Sequence, residues 1–235
     1  DRRPNAAPKP AADRAAREPV RHRRIVLLNP NTNAQATQLM VESARRSLPL
    51  FASVEGRTVP RGVPLITDEA ALAAAAAVVC EFGPTLAGEG FDALVIAGFG
   101  DPGLAELRAR LAMPVAGIAE AGIHEAGAGG RPYAIVTITP DLHASLRRSA
   151  ITYGHGSNLA SIRFTPGNPE ALARDPQRLD AALLEASLQA VAQDGARAIV
   201  IGGGPLAASA NRIAARVPVP LVEPVAAAVR RVTRA

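Results

Sequence analysis

The sequence holds one cysteine, Cys80, in 235 residues. A single thiol can form neither an intrachain disulfide nor a cysteine-based metal cluster. Its neighbours Val78, Val79 and Phe82 belong to an alanine-rich helical run, where a buried structural thiol is expected. Aromatic residues make up 3% and tryptophan is absent, so the core must be built from small aliphatic side chains. That composition suits helices packed closely on a sheet. No apolar run approaches the roughly 20 residues of a membrane span. The longest, Ala70 to Val79, reads as part of a helix. No spacing of His, Asp and Glu resembles a metal site.

The body of the chain also lacks a charge excess. Residues 1–24 carry eight basic and three acidic residues, which accounts for the whole net charge of +5. The rest is balanced, so no basic face for nucleic acid is expected, and no membrane-binding surface. Residues 1–23, rich in Pro, Ala and Arg, read as a disordered basic tail. The tail starts at Asp1 rather than Met, which reads as a truncated, processed or renumbered N-terminus. It shows no signal-peptide apolar region, and a cytoplasmic protein is expected.

What is present is a repeated unit. Phe91 to Gly103 reads as a short strand, Leu94 to Ala97, running into a glycine turn and a helix start at Pro102. Gly98 and Gly100 let the backbone turn tightly and approach a ligand. Ala196 to Gly204 repeats the pattern, with Gly203 in the place of Gly98. Each copy leads through a helix to a Pro-Val element, at Pro114 and at Pro218. Ile25 to Asn29 is echoed by Ile135 to Thr137. Strands alternate with helices throughout, which argues a parallel α/β sheet in each of two related halves. The expected division is residues 24–112 plus 205–235 for one half and 113–204 for the other. Gly98 and Gly203 would then face each other across one cleft, at the strand ends where open α/β sheets bind small anions.

Gly98-x-Gly100-x-x-Gly103 also matches the dinucleotide fingerprint, with Glu120 about 20 residues on. An NAD-dependent oxidoreductase is therefore a rival reading. The short helix after Gly103 and the interior position of the motif count against it.

The order and spacing of several segments carry a more specific signal. They are Leu28-Asn29-Pro30-Asn31-Thr32, Gly62-Val63-Pro64-Leu65-Ile66, Phe99-Gly100-Asp101-Pro102-Gly103-Leu104, Pro114 to Ala121, Ile135-Val136-Thr137 and Asp194 to Gly202. Together they resemble the aspartate/glutamate/hydantoin racemase superfamily, in its hydantoin racemase branch, over roughly residues 24–233. The resemblance implies two pseudosymmetric α/β domains with the site between them and no cofactor. It implies two thiols, one removing the substrate α-proton and the other returning a proton from the opposite face. At the matching positions this sequence has Gly98 and Gly203. The two-thiol reaction is therefore not expected, although the fold is.

The remaining groups suit binding. Asn29, Asn31, Thr32, Phe99, Gly100, Thr137, Ile138, Gly202 and Gly204 are the expected substrate-binding positions, for a small carboxylate, imide or hydantoin-type ligand. His143, in the first turn of a helix near Thr137, is the candidate alternative base for a lyase, decarboxylase or other isomerase. His155 lies in a loop. Asp101 reads as a helix cap rather than a base. A homo-oligomer is expected.

Overall fold

A computed structural model describes residues 21–234. Most of the proposed basic tail lies outside this range. Its last residues are not free: Arg21 pairs with Asp92, His22 meets Ser53, and Arg23 already opens the first strand.

The first sheet contains β1 (Arg23–Asn29), β2 (Ala52–Thr58), β3 (Ala93–Ile96) and β4 (Val115–Gly117), all parallel, in the order β2-β1-β3-β4. The second contains β5 (Tyr133–Thr137), β6 (Leu159–Phe164), β7 (Ile199–Ile201) and β8 (Leu221–Val222), parallel in the order β6-β5-β7-β8. The two orders are the same pattern. The registers agree too: Leu28 stands opposite Ile96 in one sheet, and Val136 opposite Ile201 in the other. Gly98 and Gly203 each lie two residues beyond these pairs, so they are pseudo-equivalent.

The connecting helices are α1 (Ala34–Arg46), α2 (Glu69–Leu86), α3 (Leu104–Arg110), α4 (Ile118–Ala126), α5 (His143–Thr152), α6 (Pro169–Ala173), α7 (Pro176–Asp194), α8 (Ala207–Ile213) and α9 (Pro224–Arg234). Their starts follow local chemistry. Asn33, Asp68, Asn168 and Asp175 each accept a hydrogen bond from an amide in the first turn.

Side chains alternate along the central strands. Ile25, Leu27, Val95, Tyr133, Ile135 and Val200 enter one core shared by both halves. Val26, Leu28, Leu94 and Ile96 face a second core under α2 and α3, while Ala134, Val136, Ile199 and Ile201 face a third under α7 and α8. Strands buried on both faces explain the continuous apolar runs in the sequence.

The division into halves differs from the expected one. β4 pairs with β3 and belongs to the first sheet, although residues 113–117 were assigned to the second half. β8 pairs with β7 and belongs to the second sheet, although residues 205–222 were assigned to the first. The chain changes sides only after each fourth strand: α4 packs against β7 and β8, and α9 returns to β3 and β4.

By length and composition Glu69–Glu89 is apolar enough to cross a membrane, contrary to the expectation that no stretch reaches that length. Its many alanines raise the hydropathy. In the fold it is a surface helix resting on the first sheet through Ala75, Val78, Val79, Gly83 and Leu86. Cys80 lies on the same face, buried as expected, and burial pushes its thiol up to about 11.

Candidate active site

The C-terminal ends of both sheets open into one cleft of about 470 Å³. Gly98 and Phe99 line it from the first half; Thr137, Ile138, Gly202, Gly203 and Gly204 line it from the second. The two glycine turns touch. A Cβ on Gly204 would lie 2.7 Å from the Ala97 carbonyl oxygen, and one on Gly202 would lie 3.2 Å from the Phe99 ring. Glycine is required where the halves approach this closely.

Neither Gly98 nor Gly203 lies in the left-handed region, since φ at Gly203 is 168° and Gly98 is not among the positive-φ glycines. Their surroundings differ. A Cβ on Gly98 would meet the Pro30 ring at 2.4 Å, while one on Gly203 would meet only the Leu206 side chain, at 3.0 Å.

Several amides at the strand ends are occupied. Ala97 donates to the Leu28 carbonyl, Gly202 to Val136 and Gly203 to Ile201. Among the described residues, the amides of Gly98 and Phe99 have no protein acceptor. They are available to an anionic or carbonyl oxygen. Thr137 donates its hydroxyl to the Gly202 carbonyl at 2.5 Å and lies 3.4 Å from the Thr139 hydroxyl. The side walls are apolar: Leu39 of α1, Leu65, Ile66, Leu72, Leu142 and Leu179. Among the described residues, the only ionisable side chains lining the cleft are Glu170 of α6 and Arg174 at its end, an exposed pair.

Four expected site residues are not part of this lining. Asn29 is fully buried, and its amide nitrogen donates to Asn31, Thr37 and the Asn33 carbonyl, so it shapes the turn before α1. Thr32 donates its backbone N–H to Val63. Gly100, with φ of 122°, supplies the turn and faces Leu72. His143 is exposed and its ring lies against Phe164. The first turn of α5 points it outward, and it is not positioned as a base. Asn31, by contrast, does line the cleft. The apolar walls and α6 were missing from the sequence reading. For α6, Asn168-Pro169-Glu170 is a helix-start signal that the sequence does carry.

Asp101 is a cap, but of a different helix from the one its position suggests. It is buried, with φ of 50°, and its carboxylate accepts the amides of Ala119 at 2.8 Å and Glu120 at 2.7 Å at the start of α4. The Tyr153 hydroxyl donates to the same carboxylate at 2.8 Å. Burial pushes the Asp101 carboxyl up to about 7 against these hydrogen bonds. Glu120, the acid of the dinucleotide reading, does not line the cleft. It takes two hydrogen bonds from Arg108, and with Arg231 this outweighs burial and holds its carboxyl below the usual range.

Two parallel sheets with a common strand order and a cleft at their C-terminal ends define a pseudosymmetric α/β protein of the racemase type. The chain belongs to the Asp/Glu/hydantoin racemase family, whose pattern matches residues 25–232. It is 30% identical over 208 residues to hydantoin racemase of Paenarthrobacter aurescens, a match covering 88% of each chain. In structure it is similar to allantoin racemase from Klebsiella pneumoniae, with a TM-score of 0.86, 32% identity, and 90% of this chain and 86% of that one covered. Allantoin racemase from Pseudomonas fluorescens gives a TM-score of 0.85 at 28% identity, covering 90% of this chain and 89% of that one. These likenesses place it in the hydantoin racemase-like branch.

Proposed function

We propose that the cleft binds a small carboxylate, imide or hydantoin-type ligand and does not carry out two-thiol racemisation. One observation carries this reading. Gly98 and Gly203, at pseudo-equivalent strand ends, line one cleft whose only ionisable lining residues, among the described residues, are Glu170 and Arg174. Carbanion chemistry at a substrate α-carbon needs a positioned acid and base, and the two glycines offer none. The free amides of Gly98 and Phe99 suit a carbonyl or carboxylate oxygen, and the apolar walls suit a hydrocarbon substituent. Relatives named for hydantoin and allantoin support a ring of imide or ureide type. The reading includes no cofactor, no nucleic acid or membrane partner, a homo-oligomeric state and a cytoplasmic location.

The test is binding and α-proton exchange in D₂O, with 5-benzylhydantoin, allantoin, aspartate and glutamate. Thermal stabilisation without exchange is the expected result. Exchange that survives Cys80→Ser would overturn it and favour an enzyme using another base. Stabilisation by NAD(P) alone would favour an oxidoreductase.

A further inference from the structure

Asp101 is the one non-glycine residue with positive φ among the described residues, and it lies in the turn that forms one wall of the cleft. Its own amide donates to the Gly98 carbonyl at 2.9 Å, and Leu104 donates to its carbonyl at 3.1 Å. The turn from Gly98 to Leu104 is therefore closed around it. Its side chain reaches out of the turn to three donors on two other elements: the amides of Ala119 and Glu120 on α4, and the hydroxyl of Tyr153 at the end of α5. Gly117 makes room for it, because a Cβ there would lie 2.1 Å from the Asp101 carboxyl carbon. A left-handed backbone and a buried carboxylate both cost stability. A simple helix cap needs neither.

We infer that Asp101 is a positioning residue that fixes the Gly98–Phe99 wall of the cleft, and that protonation of its carboxyl resets that wall. The ionised carboxylate accepts all three donors. The neutral acid carries an O–H of its own, so one oxygen can no longer accept as before. The tether between the turn and α4 is then weaker, and the free amides of Gly98 and Phe99 move with the turn.

Around Asp101, Glu120 and His124 lie on α4, Glu106 and Arg108 on α3, and Tyr153 at the end of α5. Arg231 of α9 acts through Glu120, His155 is paired with His124 at 3.0 Å, and Cys80 of α2 lies against Gly103. Glu120 is held ionised by Arg108 and adds to the upward push on Asp101. Burial first, then Arg231, holds His124 below its ordinary range. Tyr153 is pushed up by burial and by the Asp101 charge. Burial brings the Asp101 carboxyl to about 7, near neutrality.

The experiment is a pH titration of amide resonances in the ligand-free full chain, followed by two-dimensional ¹H–¹⁵N NMR between pH 5 and 9. The amides of Ala119, Glu120, Gly98 and Phe99 should shift together with one midpoint. Tyr153→Phe removes a hydrogen bond that favours the ionised form, so the shared midpoint should rise by about 1 unit. In Asp101→Asn the shared titration should vanish. Should Asp101→Asn fail to fold, the shift in Tyr153→Phe decides. Titration confined to Ala119 and Glu120 would overturn the inference and leave Asp101 a helix cap. So would an unmoved midpoint in Tyr153→Phe, or Gly98 and Phe99 shifts that persist in Asp101→Asn. No ligand is used, so the outcome is separate from the proposed binding activity.

Discussion

Asp101 and Glu223 perform the same task at the starts of the two helices that cross between the halves. Asp101 accepts the amides of Ala119 and Glu120, the second and third residues of α4. Glu223 accepts the amides of Val225 and Ala226, the second and third residues of α9, at 2.7 and 2.9 Å. The strand registers explain how. Gly117 stands opposite Ile96, and one step beyond the Val200–Val222 pair Glu223 stands opposite Ile201. In the second half the cap is the strand-end residue itself. In the first half that position is glycine, and a carboxylate from the neighbouring turn fills the space.

This exchange makes Gly117 and Asp101 interdependent. Gly117→Ala should destabilise the fold by roughly 2–3 kcal/mol, because its methyl group would collide with the buried carboxylate. Asp101→Gly should cost about 1–2 kcal/mol through loss of the cap, with its φ of 50° well suited to glycine. The double variant should be less damaged than the two costs added, with a coupling of about 1 kcal/mol or more. Urea denaturation of the four proteins measures this, and strict additivity would contradict the shared space.

A second expectation concerns pH. The Asp101 carboxyl is raised in the folded chain from 3.8 to about 7, so folding favours its neutral form. Its contribution to stability is complete below about 4 and is lost as pH rises to about 7. At about 1.4 kcal/mol per unit the shift corresponds to about 4 kcal/mol. Burial raises Glu223 in the same direction. Carboxylates held low by arginines, such as Glu120 and Asp194, act oppositely, so the comparison must be differential. The stability of the wild type minus that of Asp101→Asn should fall between pH 4.5 and 8. A difference that does not vary with pH would show that Asp101 does not titrate there.

Cys80 should be inert. Burial, with a contribution from Glu106, lifts its thiol to about 11, and few thiolates exist at neutral pH. Reaction with a disulfide reagent at pH 8 should be slow in the folded protein and fast in denaturant. Rapid labelling of the folded chain would mean that α2 opens readily.

The two sheets were legible because each central strand is an apolar run buried on both faces, and because the runs recur with the same helices between them. Gly98 and Gly203 were legible for the same reason. Other features depend on contacts that sequence spacing does not reveal. Asp101 was read as a helix cap, and it is one, but its partners lie 18 and 19 residues away and Tyr153 lies 52 away, which sequence position does not reveal. Asn29 was placed in the pocket because it is polar and ends a strand. Its side chain instead closes its own turn. The half boundaries were set at residues 112/113 and 204/205, yet strand pairing carries the chain past both, to β4 and β8, before it crosses over.

Introducing thiols at the two glycine positions tests the pseudosymmetric site directly, and the structure makes the two substitutions unequal. Gly203→Cys needs a small movement of the Leu206 side chain and should cost less than about 1 kcal/mol. Gly98→Cys drives its Cβ into the Pro30 ring at 2.4 Å and should cost roughly 1–3 kcal/mol. Pro30→Ala removes the colliding atom and should recover part of that loss. If the two positions flank the ligand on opposite faces, each single thiol should exchange the α-proton of one enantiomer of 5-benzylhydantoin, and of that enantiomer only. General acid–base catalysis is worth roughly 10²–10⁴-fold, so even an imperfectly placed thiol should register in deuterium incorporation. The pair together, on the Pro30→Ala background, should interconvert the enantiomers. Exchange of both enantiomers by one single variant would show that the two glycines do not serve separate faces. Absence of exchange from a folded, ligand-binding double variant would show that the ligand places no acidic carbon between them.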